Sequence, residues 1–257
     1  MLPIDNTAVR YGTECPRART HAKKEEEGVK VLRAFFRSLG VILIQGLLFS
    51  FTLIASVSNI INFDNSALGK VPAGWIVPGN HDPAARWEVR KDPTAPTAPY
   101  VFAPVPANPR GDEFSLAILN SMAVRDGDIS VRLKPVGGHD DPGGGLVFRY
   151  RDERNYYLVR ADSHAGEVTV FKVENGRCTP IRPRGAPPAT FAVKHPIQPN
   201  TWNILKVSVR GTRFQVYVNH RRLLQADDGT FSGAGKVGLA TVADSITYFD
   251  DFRVYTK

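Results

Sequence analysis

The sequence is poor in cysteine, and its two cysteines lie far apart. Cys15 and Cys178 belong to no group of cysteine and histidine residues at the spacing of a zinc site, so no structural zinc is expected. The two residues stand on opposite sides of a long hydrophobic run. If that run directs export, the cysteines are separated. We therefore expect no disulfide within the chain and a lone thiol at Cys178.

Amphipathic helical patterns are absent after residue 60. Short runs of alternating polar and apolar residues stand there instead, separated by turns that use many of the 22 glycines and 19 prolines of the chain. This pattern predicts one all-β sandwich or barrel domain over residues 59–257. The ten clearest predicted strands are residues 86–91, 113–119, 128–136, 145–151, 155–162, 167–173, 202–210, 213–219, 236–241 and 245–255.

Charged residues are missing from residue 38 to residue 63. The most apolar part of this run, residues 39–55, comes after Lys30, Arg33 and Arg37 and before small residues that end at Ser58. A basic region, an apolar region and small residues before a cleavage point are typical of a secretory signal. The run is also close to the ~20 residues that span a bilayer, so an uncleaved anchor helix is the alternative.

These features divide the chain into three predicted segments. Residues 1–28 are polar and are predicted to be disordered, unless translation really begins further downstream. Residues 29–58 are predicted to be a signal peptide or a single membrane anchor, and residues 59–257 are the β domain. The domain is therefore expected to be secreted, periplasmic or part of the cell envelope, and to touch a membrane only through the N-terminal segment.

Positive charge is in excess, with a formal net charge of +8. A basic protein suits anionic partners, acidic glycans among them. A nucleic-acid partner is not expected, because the arginines are spread over predicted strands with few exposed aromatic residues between them, and because the chain is predicted to be exported.

Alternation along the predicted strands assigns their side chains to two faces. Val131 lies on the apolar face of its strand, and Arg132 lies on the other face. Tyr150 is predicted to face the same apolar interior, opposite Tyr157 across a tight turn. Neighbouring strands that share an apolar face predict the inside of a sandwich.

The face away from this interior is predicted to be rich in arginine and to bind a ligand. Arginine forks bind carboxylate or sulfate groups through two hydrogen bonds, and a tyrosine ring can stack on a sugar. The alternative is a solvated face whose arginines pair with nearby acidic residues. The predicted ligand-binding residues are Arg132, Arg149, Arg151, Tyr156 and Arg160, with Lys172 and Lys206 extending the same face.

Four stretches of the chain carry a family resemblance. They read GLVFRYRDERNYYLVRAD, EVTVFKVENGR, WNILKVSVRGTRFQVYVNHRRLL and SITYFDDFRVY. Over residues 62–256 the sequence resembles the concanavalin A-like lectin/glucanase superfamily, and most of all its laminin-G-like and 3-keto-disaccharide hydrolase-like bacterial domains. The resemblance implies a jelly roll of two antiparallel sheets with a concave face that holds a glycan.

The resemblance also implies a structural calcium ion. The closing stretch is similar to the last strand of family-sixteen glycoside hydrolases, in which an aspartate helps to bind calcium, and Asp250 stands at the matching position. Further oxygen ligands would come from backbone carbonyls near Phe63 and Asp64. The alternative for Asp250 is an aspartate that only makes hydrogen bonds at an edge.

The catalytic Glu-x-Asp-x-x-Glu string of those hydrolases does not occur in this sequence. This favours a carbohydrate-binding module that recognises a poly- or oligosaccharide, including an acidic one, over an enzyme. Two alternatives stay open. One is a glycoside hydrolase acting on a modified disaccharide, which would need a pair of carboxylates. The other is a non-enzymatic structural or adhesion domain of the cell envelope.

Overall fold

The computed structural model describes residues 58–79, 86–105, 114–138, 142–242 and 245–256. The predicted polar segment 1–28 lies outside the described residues, and so does the predicted signal or anchor segment 29–58 apart from Ser58. Within the described ranges, no helix is long and apolar enough to cross a membrane.

The described residues form sixteen β-strands and no α-helix, which confirms the all-β prediction. All ten predicted strands are present, and those at 86–91 and 155–162 have the predicted bounds. The six strands that the pattern missed are β1, β2, β4, β10, β11 and β14. The strands are β1 Ser58–Ile61, β2 Trp75–Ile76, β3 Arg86–Lys91, β4 Tyr100–Val105, β5 Phe114–Val124, β6 Gly127–Gly137, β7 Gly143–Asp152, β8 Asn155–Asp162, β9 Glu167–Glu174, β10 Arg177–Ile181, β11 Ala192–Lys194, β12 Asn203–Arg210, β13 Arg213–Val218, β14 Arg221–Asp227, β15 Gly235–Val242 and β16 Ile246–Thr256.

The strands build two antiparallel sheets of eight strands each. Sheet A has the order β14-β13-β12-β6-β16-β4-β3, and β1 also pairs with β16. Sheet B has the order β10-β9-β8-β7-β15-β5-β2, and β11 also pairs with β9. The non-consecutive neighbours mean that the chain crosses repeatedly between the sheets. The two sheets form the predicted sandwich.

Local turn chemistry explains the hairpin between β7 and β8. The Asp152 carboxylate accepts hydrogen bonds from the backbone N–H of Arg154 at 2.8 Å and from the side chain of Asn155. An aspartate that bonds to the backbone two residues further on replaces a backbone turn, so the chain can reverse here within two residues. Asp152 then pairs with Asn155.

The main core lies between the two sheets. Sheet A contributes alternate residues of β6, among them the fully buried Val131, which confirms the predicted alternation in this strand. The ring of Phe214 lies 4.9 Å from that of Phe148 and 4.8 Å from that of Tyr157. This aromatic cluster joins β13 of sheet A to β7 and β8 of sheet B, and burial of such rings stabilises the sandwich.

A bulge in β7 breaks the predicted alternation. Arg149 has a φ of 50°, and the register with β8 shifts between Phe148 and Asp152. Phe148, and not Tyr150, pairs with Tyr157. Because extra residues in a strand reverse its inside and outside positions, Tyr150 leaves the core and Arg149 enters it. The prediction that Tyr150 faces the main core is therefore wrong.

The outer face of sheet B, directed away from sheet A, is also apolar. Its buried side chains form a second cluster in which each is at most 6 % exposed, and the half-buried Phe114 packs against it. Cys178 of β10 packs against this cluster and is disulfide-bonded, so the prediction of a lone thiol is wrong. The other cysteine of the chain, Cys15, lies outside the described residues. We call the following residues the sheet B outer face: Phe114, Leu116, Ile118, Val147, Tyr150, Tyr156, Leu158, Phe171, Val173 and Ala240.

Candidate functional site

A cleft of about 310 Å³ opens on the outer face of sheet A. Its centre is Ser130 of β6, which pairs with Lys206 of β12 on one side and with Arg253 of β16 on the other. Lys206 in turn pairs with Tyr217 of β13. A small serine between longer side chains leaves a hollow, because neighbouring strands stand only about 4.8 Å apart. We call this hollow the sheet A cleft.

A buried carboxylate holds two arginines at the edge of the cleft. Asp251 is 4 % exposed, and its Oδ2 lies 3.2 Å from Nε of Arg132 and 3.0 Å from Nη2 of Arg253. Asp251 has a φ of 49° within a register shift between β16 and β6, so a bulge presents this carboxylate. Burial opposes the charge of Arg253, but its hydrogen bond to Asp251 outweighs that cost and raises its pKa. The buried carboxylate therefore fixes both guanidinium groups in direction.

Two tyrosines complete the lining of the cleft. Tyr217 and Tyr255 are both half-buried. The ammonium of Lys206 lies 4.2 Å from the ring centroid of Tyr217, a cation–π contact, and the Tyr217 hydroxyl donates to Oε1 of Gln215 at 3.1 Å. These contacts limit how freely the ring can turn. A ring held in place and half open to solvent offers a flat apolar surface to a ligand.

Asp128 lies beside the cleft and fixes further cations. Burial favours the neutral acid, but hydrogen bonds from Ser208 and Arg210 outweigh this effect and lower the pKa of Asp128. The Lys206 ammonium lies 3.6 Å from its Oδ2. Lys206 is thus held between a carboxylate and an aromatic ring, with its side chain about one third exposed.

The lining of the cleft carries groups that can bind a polar ligand. Fixed guanidinium and ammonium groups donate hydrogen bonds to hydroxyl or carboxylate oxygens, and the tyrosine rings can pack against the apolar face of a sugar. Asp251 is the one acidic residue among the described lining, and two arginines already neutralise it. Glycoside hydrolysis uses two carboxyl groups across the scissile bond.

Of the five predicted ligand-binding residues, the structure places Arg132 in the cleft, and it brings Lys206 there as well. Arg149 is only 1 % exposed, and its guanidinium donates to the carbonyls of Phe231 at 2.5 Å, Gly211 at 2.5 Å and Arg125 at 3.1 Å. Burial lowers its pKa. The prediction that Arg149 lies on a solvent face is therefore wrong, since the β7 bulge turns it inward to hold three loops together.

The other three predicted residues lie on sheet B. Arg151 is exposed, with its guanidinium 4.9 Å from the ring centroid of Phe231. Arg160 is mostly buried and pairs with Asp162 at 3.0 Å. Tyr156 is 4 % exposed within the sheet B outer face, so it has no ring surface open for stacking. The prediction of one arginine-rich face is wrong, because these residues and Arg132 belong to different sheets.

Asp250 is fully buried beside the cleft. Its carboxylate accepts hydrogen bonds from the backbone N–H of Thr97 at 2.9 Å, from the Thr97 hydroxyl, and from the N–H of Asp251 at 2.7 Å. Burial raises its pKa. In the part of the chain that the structure describes, no three His, Cys, Asp or Glu side chains form a group that could hold a metal ion. The N–H and O–H groups around Asp250 donate hydrogen bonds to its carboxylate, whereas calcium would need oxygen lone pairs directed at it, so these neighbours do not favour the ion. Calcium at Asp250 stays a prediction.

The sequence pattern missed Tyr217, Asp251, Arg253 and Tyr255. They come from β13 and β16, which are far from β6 in the sequence and reach it only through the sheet order. The signal that was available is the alternation in SITYFDDFRVY, where Arg253 and Tyr255 alternate with the buried Phe252 and Val254.

Comparison with known proteins places the fold. No protein-family model matches the chain. A levanase from Bacillus subtilis (strain 168) is 32% identical over 143 residues, which are 55% of this chain and 19% of the levanase, so the chain spans about a fifth of that relative.

Solved structures resemble the domain as well. The carbohydrate-binding module CBM66 from Bacillus subtilis matches with a TM-score of 0.53 and 24% identity, over 70% of this chain and 94% of the module. Domain 4 of AbnA, a GH43 extracellular arabinanase from Geobacillus stearothermophilus, in complex with arabinotriose, matches with a TM-score of 0.50 and 14% identity, over 77% of this chain and 93% of that one. The likeness to these structures confirms the fold that the resemblance implied, a sandwich of two antiparallel sheets.

Proposed function

We propose that the domain is a carbohydrate-binding module and that the sheet A cleft holds part of an oligosaccharide. The observation that carries this proposal is the buried Asp251 with Arg132 and Arg253 fixed around an open hollow between two tyrosines. A buried ion pair contributes little net stability because desolvation offsets its attraction, so this arrangement is better explained by positioning of the arginines for a ligand than by stability. The similar proteins, which are a levanase, a carbohydrate-binding module and a domain solved with arabinotriose, support the same class of ligand.

The charge of the cleft supports a wider ligand range than neutral sugars. Arg132, Lys206 and Arg253 line it together with one acidic residue, Asp251. Guanidinium groups bind hydroxyls with single hydrogen bonds and carboxylates with paired ones. An acidic oligosaccharide is therefore expected to bind at least as tightly as a neutral one of the same length.

The proposed place of action is outside the cytoplasm. Cys178 is disulfide-bonded, and disulfides persist mainly in oxidising compartments. An external location also suits a protein that binds polysaccharides.

The test is a binding titration of the full-length protein against levan-derived, arabinan-derived and uronic-acid oligosaccharides. Replacing Arg132→Gln or Arg253→Gln is expected to weaken binding by about 10-fold to 100-fold, since each change removes a charged hydrogen bond. Arg151→Gln, on the exposed part of sheet B, is the matched control and should bind as the parent does. The proposal fails if none of the sugars binds, or if the two cleft variants bind like the control.

A reducing-end assay on the same oligosaccharides distinguishes binding from hydrolysis. Incubation of each oligosaccharide with the protein, followed by a reducing-end assay, is expected to show intact sugar. Release of reducing ends that Asp251→Asn abolishes would instead identify a glycoside hydrolase at this cleft.

A further inference from the structure

The sheet B outer face is buried, although it points away from sheet A and so lies on the outside of the two-sheet sandwich. In a sandwich of two sheets, the outer faces are open to water. Val147 and Ile118 nevertheless have no exposed surface, and Leu158 is 1 % exposed. Sheet A cannot cover them, because it packs against the opposite face of sheet B. Another layer must therefore lie on this face.

We propose that residues 39–55 of the same chain form this layer, instead of being removed as a signal or inserted in a membrane. The run LGVILIQGLLFSFTLIA has no charged residue, which matches a face built from aliphatic and aromatic side chains. As a helix it would be about 25 Å long. The five strands β9, β8, β7, β15 and β5 that carry the face span about 19 Å across the sheet. One helix of this length thus crosses the whole face.

Covalent chemistry supports this occupant over an outside partner. Cys178 lies at the rim of the face, packs against it and is disulfide-bonded. The only other cysteine in the sequence is Cys15, on the N-terminal side of the run. A Cys15–Cys178 bond holds the chain before the run at one edge of sheet B. Ser58, the first residue of β1, holds the chain after the run in sheet A.

Peptide mapping of the full-length protein, digested without reduction, tests the covalent part. The expected result is a peptide pair joining Cys15 to Cys178 that separates on reduction, in a chain that keeps residues 1–57. A mature protein that starts near residue 58, or a disulfide between two chains, would overturn the inference. This measurement needs no variant, so it decides the question even where a substitution prevents folding.

A matched pair of substitutions tests the packing. Leu47→Arg places a charge in the middle of the run, whereas Leu68→Arg places one at a position that is 45 % exposed in the domain. With the detergent-free full-length protein, only Leu47→Arg is expected to increase binding of a dye specific for apolar surfaces, by several-fold. Equal dye binding by the two variants, or a parent protein that stays in carbonate-washed membranes, would contradict the inference.

Sugar titration of the same two variants keeps this inference apart from the proposed function. The sheet A cleft lies on the opposite side of the sandwich, so both variants should still bind the oligosaccharide. If Leu47→Arg does not increase dye binding while both variants still bind the sugar, only the inference that residues 39–55 cover sheet B is rejected. The proposed function of the sheet A cleft would be unaffected.

Discussion

The outer face of sheet A carries Arg132, Lys206 and Arg253 around an open cleft, whereas the outer face of sheet B carries residues such as Val147 and Leu158, which are at most 1 % exposed. In sheet A, buried and more exposed residues alternate along β13 and along most of β6, so these strands have one side in the core and one side towards solvent. In sheet B, both sides of the central strands are apolar. The two sheets therefore have different positions in the molecule: sheet A is a surface layer, and sheet B is an internal one.

The largest expected effect contrasts one substitution on each outer face. Leu158→Asp puts a carboxylate into the apolar cluster on sheet B and is expected to lower the free energy of unfolding by more than about 4 kcal/mol, because a buried charge there has no partner. Ile204→Asp on sheet A, which lies half-buried at the cleft, is expected to cost about 1 kcal/mol. Urea denaturation of both variants checks this, and equal losses would mean that the two faces do not differ in burial.

The next largest expected effect on stability compares two arginines of the β7 bulge, Arg149 and Arg151. Arg149→Met leaves the three carbonyls of Phe231, Gly211 and Arg125 without their donor, and about 3 kcal/mol of unfolding free energy should be lost. Arg151→Met changes an exposed side chain, and its effect should stay within about 0.5 kcal/mol. Thermal and urea unfolding measure both. A loss of unfolding free energy as small as that of Arg151→Met would indicate that Arg149 lies on the solvent face, as the sequence pattern predicted.

A third substitution closes the cleft without touching the core. Ser130→Tyr fills the hollow between Lys206 and Arg253, and the affinity for the best oligosaccharide is expected to fall at least about 10-fold, or about 1.4 kcal/mol. Thr179→Tyr on the exposed part of β10 is the control and should leave binding unchanged. Calorimetric titration compares the two, and unimpaired binding by Ser130→Tyr would place the sugar elsewhere.

The smallest effect is a pH dependence that belongs to sheet B. Burial, with the nearby charges of Glu153 and Asp152, raises the pKa of Tyr150 to about 12. In the unfolded chain a tyrosine titrates near ~10, so the folded state holds this proton more tightly. Its contribution to stability is complete below pH ~10 and is lost as the pH rises towards ~12. At pH ~11 the loss is about 1 kcal/mol.

Tyr150→Phe removes this dependence, so the parent and the variant are compared in urea at pH 9 and pH 11. The expected outcome is a smaller alkaline loss of stability in the variant. If both lose stability equally, Tyr150 titrates normally and the sheet B outer face is open to water.

Much of the fold could be predicted from the sequence, because turn residues and alternation are local signals. Strand β8 has the predicted bounds, and Val131 lies in the core as expected. The error in β7 arose because a bulge leaves no fixed mark in the sequence, and a single φ of 50° at Arg149 reversed the faces after it. Consecutive apolar residues, such as those from Leu116 to Leu119, are typical of a sheet buried on both sides, but the prediction from alternation did not use this signal.

The candidate site could be predicted only in part. Arg132 and Lys206 could be predicted because they alternate with apolar residues along their strands. Tyr217 and Arg253 could not be joined to them, because the order β13-β12-β6-β16 is a property of the tertiary structure and not of any segment. For Arg160 the alternation predicted an outward-facing residue that binds a ligand, but it could not reveal that the guanidinium forms an ion pair with Asp162.

The pairing of the first strand with the last has a mechanical consequence. Ile60 of β1 pairs with Arg253 of β16, and Ser58 pairs with Tyr255. A load applied to the chain before β1 would therefore pass by shear into the strand that supplies Arg253 and Tyr255. Tension on the chain immediately before β1 would reach the walls of the sheet A cleft before it reached the rest of sheet A.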